Sequence, residues 1–186
     1  LLKKIYWSLF ILKLILNKTA DMFNEVLEAI RQFNDINFIF SSSNIDSNGY
    51  IINDLIIKYV KKNENAYFYN SFGRNLYLSI IKKVDAVLGN SSSGITEVPL
   101  LNKYTINIGD RQQGRYKTKN IIDTKCVKKD ITASIKYLYN INKNKIKKMY
   151  NPYSAKGASN KIFKIIDSTE FPQSLKKTFY DLKNIK

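Results

Sequence analysis

Two hydrophobic periods alternate along this chain, one typical of helices and the other of short buried strands. From residue 19 onward, apolar side chains recur at spacings of three and four, as in Met22, Phe23 and Val26. This spacing predicts helices at residues 19–34, 50–62, 74–83, 95–101, 130–138 and 159–166. Short aliphatic and aromatic runs between them predict strands at residues 36–40, 66–69, 85–88, 104–108 and 121–122.

Strands that alternate with helices at this spacing favour a parallel sheet. We therefore predict an α/β fold in which a Rossmann-like parallel sheet carries helices on both faces. In such folds ligands bind at the carboxyl ends of the strands, so the loops that follow the strands are the first places to search for a site.

Both ends of the chain depart from this pattern. Residues 9–16 (LFILKLIL) are apolar except for Lys13, but the run is shorter than the roughly 20 apolar residues of a membrane-spanning helix. The chain begins without Met, from which we expect a fragment. We predict an aberrant apolar segment at 1–16, a Rossmann-like ligand-binding domain at 17–168, and a basic tail at 169–186.

Composition narrows the chemistry. The 186 residues are 44% hydrophobic, enough for a core, and the formal net charge is +16. The lysines occur as scattered pairs with no run of five or six like charges, which favours a solvated surface over a nucleic-acid or membrane partner. The chain has no His and one Cys, Cys126, so it lacks a Ser-His-Asp triad and an intrachain disulfide. We expect a cytoplasmic protein with neither metal nor cofactor.

The loop at residues 89–94 (GNSSSG) follows a predicted strand and precedes a helix. Its glycines allow a tight turn, and its hydroxyls and backbone amides suit a phosphate or diphosphate. The alternative is an ordinary serine N-cap. Glu97, just beyond, could bind a sugar diol or merely favour the helix start.

A second loop, at residues 109–115 (GDRQQGR), follows the next strand. Arg111 and Arg115 could clamp a phosphate, because the guanidinium group matches phosphate oxygens with two parallel hydrogen bonds. A solvated turn is the alternative. Since the two loops end neighbouring predicted strands, we expect them to converge on one cleft.

Residues 87–123 (VLGNSSSGITEVPLLNKYTINIGDRQQGRYKTKNIID) resemble the hydrolysing UDP-N-acetylglucosamine 2-epimerases of sialic-acid-type and cell-surface polysaccharide biosynthesis. The motifs GNSSxGxxE and GxRQxGR at this separation carry the resemblance, which extends more weakly over residues 19–166. It implies the C-terminal half of a glycosyltransferase-B fold. It also implies an enzyme that eliminates UDP from UDP-GlcNAc, or a related UDP-sugar, and hydrates the product to a ManNAc-type sugar.

The resemblance also implies roles for single residues. Ser91 and Ser92 would bind the diphosphate, Glu97 the ribose hydroxyls and Arg111 the nucleotide-sugar, with Asn44 in the same UDP pocket. The supporting motif positions are Asn90, Ser93, Gly94, Gln112, Gly114 and Arg115. The catalytic carboxylates of the family belong largely to an N-terminal domain, so we expect no catalytic residue here and no turnover by this chain alone.

A His-Pro-x-Thr segment of the family, placed after the first strand, is missing. Residues 5–16 stand in its place, and permitted codons for them, read two nucleotides later, encode a strand that leads into His-Pro-Glu-Thr. We hypothesise a frameshift there; codons incompatible with that second frame would end the idea.

The expected partners are a UDP-sugar and the missing N-terminal domain, and the full-length protein could form a homo-oligomer. Two other functions stay open: a UDP- or phosphate-binding module, and one half of a different glycosyltransferase-B-type enzyme.

Overall fold

The computed structural model describes the backbone of residues 6–11, and residues 19–42, 49–141, 151–154, 157–171 and 176. The chain divides into two units, residues 1–154 and residues 155–186. The domain boundaries predicted at residues 16 and 168 stay predictions.

The first unit alternates strands and helices along the chain. Its strands are β1 (Tyr6–Ile11), β2 (Ile36–Ser41), β3 (Ala66–Tyr69), β4 (Ala86–Gly89), β5 (Tyr104–Ile108) and β6 (Ile121–Thr124). Its helices are α1 (Thr19–Ile30), α2 (Gly49–Val60), α3 (Gly73–Lys83), α4 (Ser93–Thr96) and α5 (Lys128–Asn140), with 3-10 turns at Val98–Leu101 and Pro152–Ser154.

All six strands are parallel and lie in the order β3-β2-β1-β4-β5-β6. β1 therefore occupies the centre of the sheet, paired with β2 on one side and β4 on the other. The apolar segment that the sequence leaves without a clear place thus contributes a strand over Tyr6–Ile11. The strand order reverses between β1 and β4, and this reversal makes the topological switch point at which α/β sheets bind ligands.

Helices cover both faces of the sheet, as the sequence predicts. Since successive strand residues point to opposite faces, β2 sends Phe38 and Phe40 into one core and Ile39 into the other. The first core joins the sheet to α1, α2 and α5, and Phe23, Phe38 and Phe40 lie wholly inside it. The second core joins the sheet to α3 and the Val98–Leu101 turn through Ile81, Val87 and Val98.

One predicted helix is interrupted. In place of a helix over residues 95–101, the chain forms the single turn α4 and then a 3-10 turn that contains Pro99. Proline has no N–H to donate back to the preceding helical turn, so the α-helical ladder stops before it. The site therefore cannot draw on the dipole of a long helix there.

The second unit contains α6 (Ala158–Ser168), close to the helix predicted at 159–166. It begins after Gly157, whose φ of 75° is in the left-handed region that glycine adopts without strain. Residues 172–175 and 177–186 of the predicted basic tail lie outside the described residues, as do residues 1–5 and 12–18 of the N-terminal region.

Candidate functional site

The loop at residues 89–94 leaves β4 beside the switch point of the sheet. Gly89 lies in register with Ile11 of β1 and with Asn107 of β5, so the loop starts between these two strands. Its position is the one from which ligand-binding loops of doubly wound sheets act. Residues 12–18 and residues 43–48, Asn44 among them, lie outside the described residues.

Internal hydrogen bonds shape this serine loop. The Ser93 N–H donates to Ser91 Oγ at 3.4 Å, and the Gly94 N–H donates to the Ser91 carbonyl at 3.1 Å. The Ser92 carbonyl accepts from Thr96 Oγ1 at 3.1 Å and from the Thr96 N–H at 3.0 Å. Within the described part of the chain, these loop hydrogen bonds leave the N–H groups of Ser91 and Ser92 unused. The partly buried loop therefore holds donors suited to an anion.

Gly94 permits α4 to lie directly on β5. An added Cβ at Gly94 would be 2.9 Å from Thr105 Cγ2, and Thr105 Oγ1 donates to the Gly94 carbonyl at 2.7 Å. Because the contact requires a residue without a side chain, this glycine fixes the position of the serine loop against the sheet.

The arginine loop, residues 109–115, contacts the serine loop through one carbonyl oxygen. Arg111 Nη1 and Gln112 Nε2 each donate to the Asn90 carbonyl at 2.8 Å. Gly109 and Gly114 have φ values of 76° and 77°, so glycines stand at both positions where the turn needs left-handed backbone. The two motifs that the sequence predicts to converge are therefore in contact, although they are about 20 residues apart.

The exposed guanidinium group of Arg111 uses one of its donors on Asn90. Arginine carries five N–H donors in a planar fork, so the group can hold a carbonyl and an anion together. Arg115 is also exposed, and its backbone N–H donates to the Gln112 carbonyl at 3.4 Å. Glu97 lies partly buried where α4 passes into the 3-10 turn.

Tyr77 of α3 joins the site without any signal in the sequence motifs. Its hydroxyl lies 2.5 Å from Ser93 Oγ, so the two hydroxyls share a hydrogen bond between α3 and the serine loop. Burial raises the pKa of Tyr77 to about 12; the bond to Ser93 opposes this rise and the nearby Glu97 carboxylate adds to it. A tyrosine within an apolar helical spacing is easily read as core, and only the tertiary structure shows its polar contact.

The raised pKa of Tyr77 predicts a loss of stability at alkaline pH. Between pH 10 and pH 12 the unfolded chain gives up the Tyr77 proton while the folded chain keeps it, so the free energy of unfolding falls as pH rises through this window. Urea denaturation over pH 9–12 should show this fall, reduced in Tyr77→Phe. Tyr116→Phe, an exposed tyrosine of the neighbouring segment, is the control. Identical pH slopes for Tyr77→Phe and the unchanged chain would contradict the prediction.

Asp123 of β6 holds the segment that follows the arginine loop. Its carboxylate accepts from Asn107 Nδ2 at 2.7 Å and from Lys117 Nζ at 2.8 Å, which ties the segment after residue 115 to the ends of β5 and β6.

A separate cavity of about 490 Å³ lies at the ends of β5 and β6. Its lining residues are Met22, Gly109, Asp110, Asp123, Thr124, Lys125 and Cys126. Burial raises the pKa of the Cys126 thiol to about 11, which keeps it protonated near neutral pH.

This edge of the sheet brings together groups that suit an anion. It combines serine hydroxyls, backbone amides, an arginine fork and, at Glu97, a carboxylate that could accept hydrogen bonds from a diol. In the part of the chain that the structure describes, no group of three or more Cys, Asp or Glu side chains is placed to hold a metal ion. Nor is any described helix long and apolar enough to cross a membrane.

Fold and site together define a Rossmann-like α/β domain of the kind that forms the C-terminal half of glycosyltransferase-B enzymes. The C-terminal domain of a group 1 glycosyltransferase from Francisella tularensis superposes with a TM-score of 0.55 at 15% identity, covering 81% of this chain and 85% of that one. The sequence model of the family described as UDP-N-acetylglucosamine 2-epimerase matches residues 15–167. The chain therefore belongs to the UDP-N-acetylglucosamine 2-epimerase family.

Individual relatives agree with this assignment. A GDP/UDP-N,N'-diacetylbacillosamine 2-epimerase (hydrolyzing) of Campylobacter jejuni is 40% identical over 114 residues, 61% of this chain and 30% of that protein. Polysialic acid biosynthesis protein P7 of Escherichia coli is 36% identical over 171 residues, 89% of this chain and 42% of that protein. The UDP co-structure of S. aureus MnaA superposes with a TM-score of 0.70 at 16% identity over 88% of this chain and 44% of that one. The chain thus spans less than half the length of these relatives.

Proposed function

We propose that this chain is the UDP-binding half of a hydrolysing UDP-N-acetylglucosamine 2-epimerase. The observation that carries the proposal is the convergence of Arg111 and Gln112 on the Asn90 carbonyl, because it places an arginine fork beside the serine loop at the switch point of the sheet. A nucleoside diphosphate has the charge and the hydrogen-bonding groups that such an edge recognises.

The proposed contacts are those that the motif resemblance implies, and the chemistry of Ser91, Ser92, Glu97 and Arg111 is compatible with them. Ser91 and Ser92 bind the diphosphate through hydroxyl and amide groups of the loop. Glu97 accepts hydrogen bonds from the ribose hydroxyls, and Arg111 binds the nucleotide-sugar with the donors that Asn90 does not use. Asn44, which lies outside the described residues, contributes to the same UDP pocket.

The proposed reaction has two stages. UDP is eliminated from UDP-GlcNAc or a related UDP-sugar, which leaves a 2-acetamidoglucal, and water then adds to give the free ManNAc-type sugar. The residues of this chain bind and orient the leaving diphosphate. The groups that move protons are supplied by a second domain, as the coverage of less than half of each relative suggests.

Because the proposed proton-transfer groups lie on a second domain, we expect this chain to bind UDP without converting UDP-GlcNAc. In a calorimetric titration, we expect the chain to bind UDP, and inorganic pyrophosphate more weakly because it lacks the uridine contacts. A parallel assay of UDP release from UDP-GlcNAc should show none until the N-terminal half of a relative is added. Ser92→Ala, which removes one proposed diphosphate contact, should weaken UDP binding by roughly 0.5–1.5 kcal/mol.

Two results would count against the proposal. Absence of UDP binding would show that the proposed UDP site is wrong. UDP release by the 186-residue chain alone, abolished in Ser92→Ala, would show that this chain carries catalytic groups. GDP belongs in the titration because the Campylobacter jejuni relative bears both nucleotides in its name. Binding of GDP in preference to UDP would reassign the nucleotide while keeping the diphosphate site.

A further inference from the structure

Gln112 is the most deeply buried polar side chain of the arginine loop. It is 1% exposed, while its neighbours Arg111 and Gln113 are both exposed. Its Nε2 donates to the Asn90 carbonyl, and its Oε1 has no hydrogen-bond partner among the described residues. Burying an unpaired acceptor is unfavourable, and the hydrogen bond from Nε2 to Asn90 is the contact that a hydrophobic side chain in this position would not supply.

The contact with Asn90 sets the orientation of one peptide plane. In a trans peptide the carbonyl and the following N–H point in opposite directions, and the described residues contain no cis peptide. Gln112 holds the Asn90 carbonyl on the side of the arginine loop, so the Ser91 N–H of the same peptide is turned to the other side. That N–H is one of the two that the loop hydrogen bonds leave unused.

Arg111 shares the Asn90 carbonyl but differs from Gln112 in burial. An exposed guanidinium group can move when an anion arrives, whereas the amide of Gln112 is enclosed. When Arg111 turns to a ligand, Gln112 keeps the carbonyl paired and the peptide plane in place.

We propose that Gln112 is a positioning residue that fixes the Asn90–Ser91 peptide so that the Ser91 N–H faces the bound diphosphate. This rests on the proposed function, since it assigns a role within the same UDP site. Gln112 itself does not touch the ligand; it acts through the peptide, so its loss changes affinity more than stability.

Gln112→Met tests the proposal. Methionine has a similar length and is apolar, so it removes both the donor to Asn90 and the buried unpaired acceptor. Because these two effects on stability oppose each other, we expect the thermal midpoint to stay within about 3 °C of the unchanged chain. The dissociation constant for UDP should rise about tenfold, the effect of one oriented hydrogen bond.

Gln113→Met is the matched control, because it makes the same chemical change one residue away at an exposed position. It should alter neither the UDP affinity nor the Ser91 amide resonance. Because Arg111 also donates to the Asn90 carbonyl in the ligand-free chain, the peptide orientation is measured in an Arg111→Ala background. There the Ser91 resonance, measured by ¹⁵N–¹H correlation without ligand, reports the orientation independently of UDP. It should shift when Gln112→Met is added and stay in place when Gln113→Met is added.

Each outcome decides the matter. A shifted Ser91 amide with weakened UDP binding supports the proposal. An unshifted Ser91 amide, or an unchanged UDP affinity in a folded Gln112→Met chain, overturns it, since Gln112 would then only fill space. If the unchanged chain binds no UDP while Ser91 shifts, the proposed function fails and the ligand role of Gln112 falls with it.

Discussion

Removing the guanidinium group of Arg111 is expected to weaken UDP binding by roughly 1.5–3 kcal/mol, which is about 10- to 150-fold in the dissociation constant. The magnitude follows from the loss of a charged hydrogen bond to a diphosphate oxygen. The fold should survive in Arg111→Ala, because the side chain is exposed and Gln112 still donates to the Asn90 carbonyl. Isothermal calorimetry with UDP measures the affinity, and circular dichroism checks the fold.

Two variants sharpen the Arg111 test. Lys119 is exposed and lies in the same connection between β5 and β6 as Arg111. Lys119→Ala removes one positive charge there. If Arg111 acts by direct contact and not through the net charge, this variant should leave UDP affinity within about twofold. Arg111→Lys keeps the charge but loses the planar fork, so an intermediate affinity is expected. Equal affinity in Arg111→Ala and the unchanged chain would remove Arg111 from the site.

A methyl group at Gly94 should destabilise the chain by about 1–3 kcal/mol, the usual cost of overpacking a filled contact. The new Cβ would lie 2.9 Å from Thr105 Cγ2. Thr105 cannot readily turn that methyl away, because its Oγ1 is held by the Gly94 carbonyl at 2.7 Å. The serine loop would have to move from the sheet, so UDP binding should weaken together with stability in Gly94→Ala.

The double variant Gly94→Ala with Thr105→Ser separates this clash from other effects. Serine keeps the hydroxyl that bonds to Gly94 and removes the methyl that the new Cβ would meet. Urea denaturation of both single variants and the double variant gives the coupling between the positions. We expect the double variant to be more stable than the sum of the two single losses implies. Strictly additive losses would show that the close approach of Gly94 to Thr105 is not what limits this position.

Local patterns were sufficient for most elements of the sheet. β3 and β5 coincide with the predicted ranges, and β2 extends one residue further than expected. The reason is physical: a short apolar run, typical of a buried strand, and a three-to-four spacing of apolar residues, typical of a helix, are both properties of contiguous sequence. Pro99, which interrupts the helix predicted at residues 95–101, is also a local feature, but the spacing of apolar residues does not reveal it.

Local patterns could not predict the long-range contacts. Tyr77 reaches Ser93 across 16 residues, and Asp123 joins Asn107 and Lys117 at the ends of β5 and β6. No periodicity marks such pairs, because they depend on how helices cross the sheet and how strands align. The place of Tyr6–Ile11 in the middle of the sheet likewise depends on pairing with β2 and β4, not on its own residues.

By itself, the sequence determined the α/β class, the positions of the serine and arginine loops and the family that they resemble. These depend on residue order, and a motif is read from order alone. Only the tertiary structure decided that β1 and β4 meet at the switch point and that Arg111 and Gln112 share the Asn90 carbonyl. It decided these because a site is a set of distances, and distances between loops about 20 residues apart are set by sheet order and packing.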